Sequence, residues 1–90
     1  MHLADSSTAE DLEEFPLNFL FILRAVLQME LATEEDVAHC TDLRQADVAD
    51  TLRVARDRGF VELVGGRVRL TLRWYRAVTQ TLRRRHLIAS

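Results

Sequence analysis

Two glycines, Gly65 and Gly66, interrupt a run in which apolar and polar residues alternate, FVELV before them and RVRLTL after. A Gly-Gly pair in that setting predicts a two-residue hairpin turn. The turns whose twist matches paired strands need positive φ, which glycine adopts without a steric clash. With the glycines as the loop, Val64 falls opposite Arg67, Leu63 opposite Val68, Glu62 opposite Arg69, and Val61 opposite Leu70. The two-residue period of a strand then assigns Val61, Leu63, Val68 and Leu70 to a buried face. Glu62, Val64, Arg67 and Arg69 take the outer face, where Glu62 can pair with Arg69. Slipping the register by one residue would bury both arginines.

Helical patterns precede this ribbon. Val48, Leu52 and Ala55 are spaced by four and three, which predicts a helix over about 45–58. Gly59 stands where a helix stops in the left-handed conformation, and Phe60 can fold back on its last turn. Upstream, Thr33 and Asp36 have the spacing of a capping box, with Asp in place of Glu or Gln. That box opens a helix over about 34–40, with Val37 and Ala38 facing inward. The three residues at 41–43 leave room only for a tight corner between the two helices.

The chain is 90 residues long, enough for one domain with one modest core. Residues 1–12 are polar and acidic and read as a flexible N-terminal segment, so the domain is assigned to 13–90. Glu13, Glu14 and Pro16 suit the start of a first helix over about 15–30. That helix is apolar nearly all round, whereas a surface helix shows a single apolar stripe. Its second side therefore predicts a partner, a second copy being the simplest. A last helix is expected over about 72–88, capped by Thr71. Trp74, Val78 and Leu82 form its apolar line, and Arg83, Arg84, Arg85 and His86 lie in its final turns. The expected dimer interface combines Phe15, Phe19, Ile22 and Val26 with Trp74, Val78 and Leu82.

The formal net charge of −2 hides an asymmetry. Residues 1–42 hold ten acids and one arginine; residues 43–90 hold four acids and eleven arginines. The basic half is suited to face a polyanion. All twelve basic residues are arginine, whose planar fork suits phosphate and carboxylate alike. A GC-rich coding sequence yields the same bias. The single cysteine, Cys40, allows no internal disulfide and fits a reducing compartment as a small buried residue. The most apolar run, FPLNFLFILRAVLQM, is short for a membrane span and broken by Asn18, Arg24 and Gln28. With no leader pattern at the start, the expectation is a cytoplasmic protein that does not engage a membrane.

The order helix, helix, tight turn, helix, hairpin, helix resembles a winged helix-turn-helix, most clearly over residues 33–71. Leu52, Gly59, Phe60, Val61, Glu62, Leu70 and Thr71 are similar to the pattern of MarR-, PadR- and ArsR-type regulators. The fold class this implies is mainly α with a small β-hairpin: a three-helix core, a two-stranded wing and a C-terminal helix. The function it implies is a dimeric transcriptional regulator that binds double-stranded DNA. The helix over 45–58 would enter the major groove, with Arg44, Gln45, Asp47 and Thr51 at the DNA, and Arg67 and Arg69 of the wing at the phosphates. Asp47 and Asp50 depart from the pattern, since carboxylates are repelled by a phosphate backbone. The alternative is an adaptor that keeps the fold and docks on protein.

Enzyme chemistry is not expected. His39 and Cys40 point about 100° apart on a helix and lack companion ligands for zinc. No phosphate loop or nucleophile elbow is present, and no cofactor or metal is expected.

Overall fold

A computed structural model describes residues 15–88. The acidic segment 1–12, with Glu13 and Glu14, lies outside these residues. Among the described residues the order is α1 (Leu17–Met29), α2 (Glu34–Thr41), α3 (Gln45–Asp57), β1 (Val61–Val64), β2 (Arg67–Leu70) and α4 (Leu72–Arg84). The fold is thus mainly helical, with an antiparallel ribbon after the third helix. No helix in it is long and apolar enough to cross a membrane.

Local signals fix most of these limits. Pro16 caps α1 rather than entering it, and its carbonyl accepts from the Phe19 and Leu20 N–H groups. The capping box of α2 forms in both directions: the Asp36 N–H donates to Thr33 Oγ1 at 3.0 Å, and the Thr33 N–H to Asp36 Oδ2 at 3.2 Å. Asp42 ends α2 in the left-handed region, with φ 61°. At the end of α3, the Phe60 N–H reaches the Ala55 carbonyl at 2.8 Å and the Gly59 N–H reaches Arg56 at 3.0 Å. With Gly59 at φ 85°, these two bonds are a Schellman terminator. The same pair recurs after α4, from Leu87 to Leu82 and from His86 to Arg83, with His86 at φ 59°. That second terminator ends α4 at Arg84, four residues short of the expected limit.

The ribbon has the expected register, Val61 to Leu70, Glu62 to Arg69, Leu63 to Val68 and Val64 to Arg67. It also has a third member that periodicity did not reveal. Ala32 and Val68 exchange backbone hydrogen bonds of 3.1 and 2.8 Å. β2 is therefore the middle of this small sheet and β1 its edge. Val61 and Val68 are buried, but Leu63 is 50% exposed. At the turn end of the edge strand, Leu63 overhangs a cleft beside Leu52, Arg53 and Arg56 instead of closing into the core. Just before Ala32, Glu30 adopts φ 71° and ψ −66°, while the Leu31 N–H bonds to the Met29 carbonyl at 2.8 Å. This is the rare γ-turn of positive φ, a strained conformation for a residue with a Cβ.

The core is one cluster drawn from every element except the ribbon's outer face. Phe60 sits at its aromatic centre: its ring lies edge-on to Trp74 at 4.4 Å, to Phe15 at 5.7 Å and to Phe19 at 6.0 Å. α1, α4 and the segment before α1 thereby meet on one ring that is 1% exposed. Thr71 is the N-cap residue of α4 as expected, but its side chain makes no capping bond. Its hydroxyl donates to the Gly59 carbonyl at 2.7 Å, tying the end of the ribbon to its beginning.

Phe60→Ala should cost about 3–5 kcal/mol in denaturant unfolding, the usual range for a buried Phe truncation, against about 1 kcal/mol for Phe60→Leu. Gly59→Ala should cost about 1–2 kcal/mol through its φ alone, because an added Cβ meets nothing nearer than Trp74 Nε1 at 3.9 Å. His86→Gly should move stability the opposite way, by up to about 1 kcal/mol.

Candidate nucleic-acid interface

Helix α3 buries Val48, Leu52 and Ala55 and turns the rest of its circumference outward. Arg44, Gln45 and Asp47 are exposed at its start. Arg44 Nε is 3.2 Å from Asp47 Oδ2, one turn on, and Arg53 Nη2 is 2.7 Å from Asp50 Oδ1. Both pairs are spaced i to i+3, so they lie along the helix and cancel charge within α3.

The ribbon arginines are paired as well. Arg69 Nε donates to Glu62 Oε2 at 2.7 Å across the ribbon, the cross-strand pair that the register requires. Arg67 reaches Asp36, in the first turn of α2, at 4.0 Å. The Asp36 carboxyl is held below its ordinary value of 3.8, chiefly by the Thr33 backbone N–H and then by the Thr33 hydroxyl, with smaller help from Arg67 and His39. Burial acts in the opposite direction and loses.

A cleft of about 160 Å³ separates α3 from the ribbon. Arg53 and Arg56 line one wall, Leu63 and Val68 the other, and Glu34 closes one end. The flank of α3 bearing these arginines, the start of α2 and the ribbon therefore form one continuous surface. Thr51 is not part of it. It is half-buried on the other flank of α3, where it lines a shallow hollow with Asp50, Val54, Phe15 and Phe19.

The expected dimer residues are placed differently again. Phe19, Ile22, Val26, Trp74, Val78 and Leu82 are each at most 6% exposed within the single chain. They are core residues and cannot form an interface without unfolding it. The second apolar side of α1 is covered by β2, α3 and α4, which all pack on it. Only Phe15 keeps partial exposure, stacked on Phe19 at 4.2 Å with Arg58 over its ring at 5.2 Å. Cys40 is exposed rather than buried. Helix α2 buries only Val37 fully, with Ala38 and Thr41 at the margin, and Cys40 lies beyond that narrow stripe.

Sequence reasoning missed the bridge at Ala32, a single residue with no alternation around it to signal a strand. It also missed the apolar concavity formed by Leu27, Leu70, Leu72 and Tyr75. There Leu72 is 93% exposed, at the first position of α4. Among the described residues no three His, Cys, Asp or Glu side chains gather as a metal site. No protein-family profile, curated protein or solved structure matches the chain.

Because folding lowers the Asp36 pKa, its contribution to stability is present above the ordinary carboxylate range and lost as pH falls through the folded-state value. Thermal melts should therefore show Asp36→Asn less stable than the native chain at pH 6. The two should converge as pH falls below the folded-state value of Asp36, where both side chains are neutral.

Proposed function

We propose that this chain is a winged-helix domain that binds double-stranded DNA, with α3 as the helix presented to the major groove and the ribbon as the wing. The observation that supports this reading best is the shared surface across the cleft: the flank of α3 carrying Arg53 and Arg56, and the ribbon carrying Arg67, are set side by side around the start of α2. The two-way bridge at Ala32 and Val68 holds the ribbon in that position. Arg44 and Gln45, at the exposed entrance of α3, have the chemistry for guanine or phosphate and for adenine.

Each arginine pair on this surface is exposed, with side-chain accessibilities between 44% and 84%. Such pairs contribute at most about 1 kcal/mol each. A phosphate can therefore take the place of the carboxylate at modest cost, although the displaced carboxylates remain and repel the backbone. The expected affinity is weak and strongly dependent on salt.

One observation favours a second reading, a module that docks on protein. The same region exposes Leu63 and Val64 on the ribbon, and the other flank of α3 exposes Val54. Apolar contacts of this kind suit a protein surface, and the neutralised arginines do not hinder it.

Titration of a labelled duplex separates the two. DNA binding requires association at about 20 mM salt that weakens steeply as salt rises. Arg67→Ala with Arg69→Ala should flatten the log–log salt slope by about 2. Asp47→Asn with Asp50→Asn should tighten binding by up to about tenfold at low salt, since two modest repulsions are removed. A native chain that ignores duplex DNA even at about 20 mM salt is the docking module instead.

A further inference from the structure

Leu72 is the most exposed large apolar side chain among the described residues, at 93%, and its own helix gives no reason for it. It opens α4, where an acid would favour the helix dipole, yet the first turn of α4 holds no acid. A lone exposed leucine is ordinary on the surface of a monomer. This one stands at the edge of a hollow of about 330 Å³, which Leu27, Leu70 and Tyr75 line with it. Tyr75 is itself half exposed. Side chains from α1, β2 and α4 thus make one open apolar patch.

Two charges of opposite sign stand at this patch. Glu30, on the rim of the hollow, is exposed, and the strained γ-turn holds it there. Arg76 follows Leu72 by four residues, so the two share one side of α4. It is exposed as well. Among the described residues neither Glu30 nor Arg76 forms an ion pair.

We propose that this patch is the contact between two copies of the chain, related by a two-fold axis that passes beside Leu72. Such an axis brings the same surface of each copy together. Leu72 is then the wall of its own hollow and the plug of the other. A partner that fills the hollow and satisfies Glu30 needs an apolar side chain with a cation beside it. The second copy offers that combination in Leu72 and Arg76, and symmetry forms the charge pair twice. Glu62 and Arg69 border the hollow, whereas Leu63 and Val68 border the cleft beside α3, so the two lie on opposite sides of the ribbon. The contact leaves the α3 surface open and puts two copies of it on one particle. A partner that spans both is then held more tightly than by either alone. The pairing of the copies stands whether or not that partner is DNA.

The patch is a handful of side chains, against roughly 20–30 residues a side in a standard interface, so a dissociation constant on the order of 10–100 µM is expected. Sedimentation velocity of the full chain from about 1 µM to about 1 mM brackets that range. Reducing conditions keep the exposed Cys40 from cross-linking the copies. The average mass should rise from one chain toward two. Leu72→Gln should raise the dissociation constant at least about tenfold, as expected when one leucine no longer becomes buried. Its thermal melt in dilute solution should match that of the native chain. Arg76→Glu and Glu30→Arg should each weaken the dimer by about tenfold, and the two together should return it close to the native value. A general effect on charge or folding would not be restored in this way. A chain that stays monomeric up to about 1 mM overturns the proposal. So does a dimer that Leu72→Gln leaves intact, because its contact lies elsewhere. A doubly changed chain that associates no better than the single variants overturns it too.

Discussion

The architecture depends on what happens between Arg58 and Val61. Gly59 takes a backbone conformation that a Cβ would strain, and this reverses the chain so that Phe60 drops into the centre of the molecule. There one ring contacts aromatic side chains from α1 and α4 and the segment leading into it. Edge-to-face contacts of this kind add roughly 0.5–1.5 kcal/mol each beyond the apolar area they bury. The ribbon starts one residue later, so its position relative to α3 is set by the same reversal. Thr71 closes the arrangement from the far end by bonding back to the Gly59 carbonyl. Without this knot the ribbon would have the same register and only the bridge at Ala32 to direct it.

The charge asymmetry of the sequence becomes a division of labour in three dimensions. On α3 and the ribbon, arginines and carboxylates alternate and bind one another at 2.7–4.0 Å. On α4 the sequence supplies arginines and no carboxylate. A chain average of −2 describes neither surface. Net charge governs solubility and long-range attraction, but what a partner meets is the local pattern.

Much of this was legible in the sequence where the signal is local. The hairpin register followed from two glycines and a two-residue period. The α2 box followed from Thr33 and Asp36, and the end of α3 from Gly59. What could not be read was how far the chain covers itself. An all-round apolar α1 has the same sequence whether its second side meets a partner or the chain's own β2, α3 and α4. Here it meets the latter, which makes Ile22, Val26 and Val78 core residues. Leu63 failed for a related reason. Alternation tells which side of a strand a residue faces, not whether anything lies there. The arginine pairings on α3 were half visible as i, i+3 spacings. The contact from Arg67 to Asp36 needed the fold.

The bridge between Ala32 and Val68 joins positions far apart in the chain, and both partners are buried. Everything else in the ribbon is local, formed by neighbours across a two-residue loop. The bridge is thus a clasp that fastens the link between α1 and α2 to the centre of the sheet. It places the amides of residues 32 and 68 among those that exchange with solvent only when the tertiary structure opens, while β1, with one side unpaired, can fray alone. Part of the ribbon is thereby free to adjust its shape against a surface while the domain stays folded.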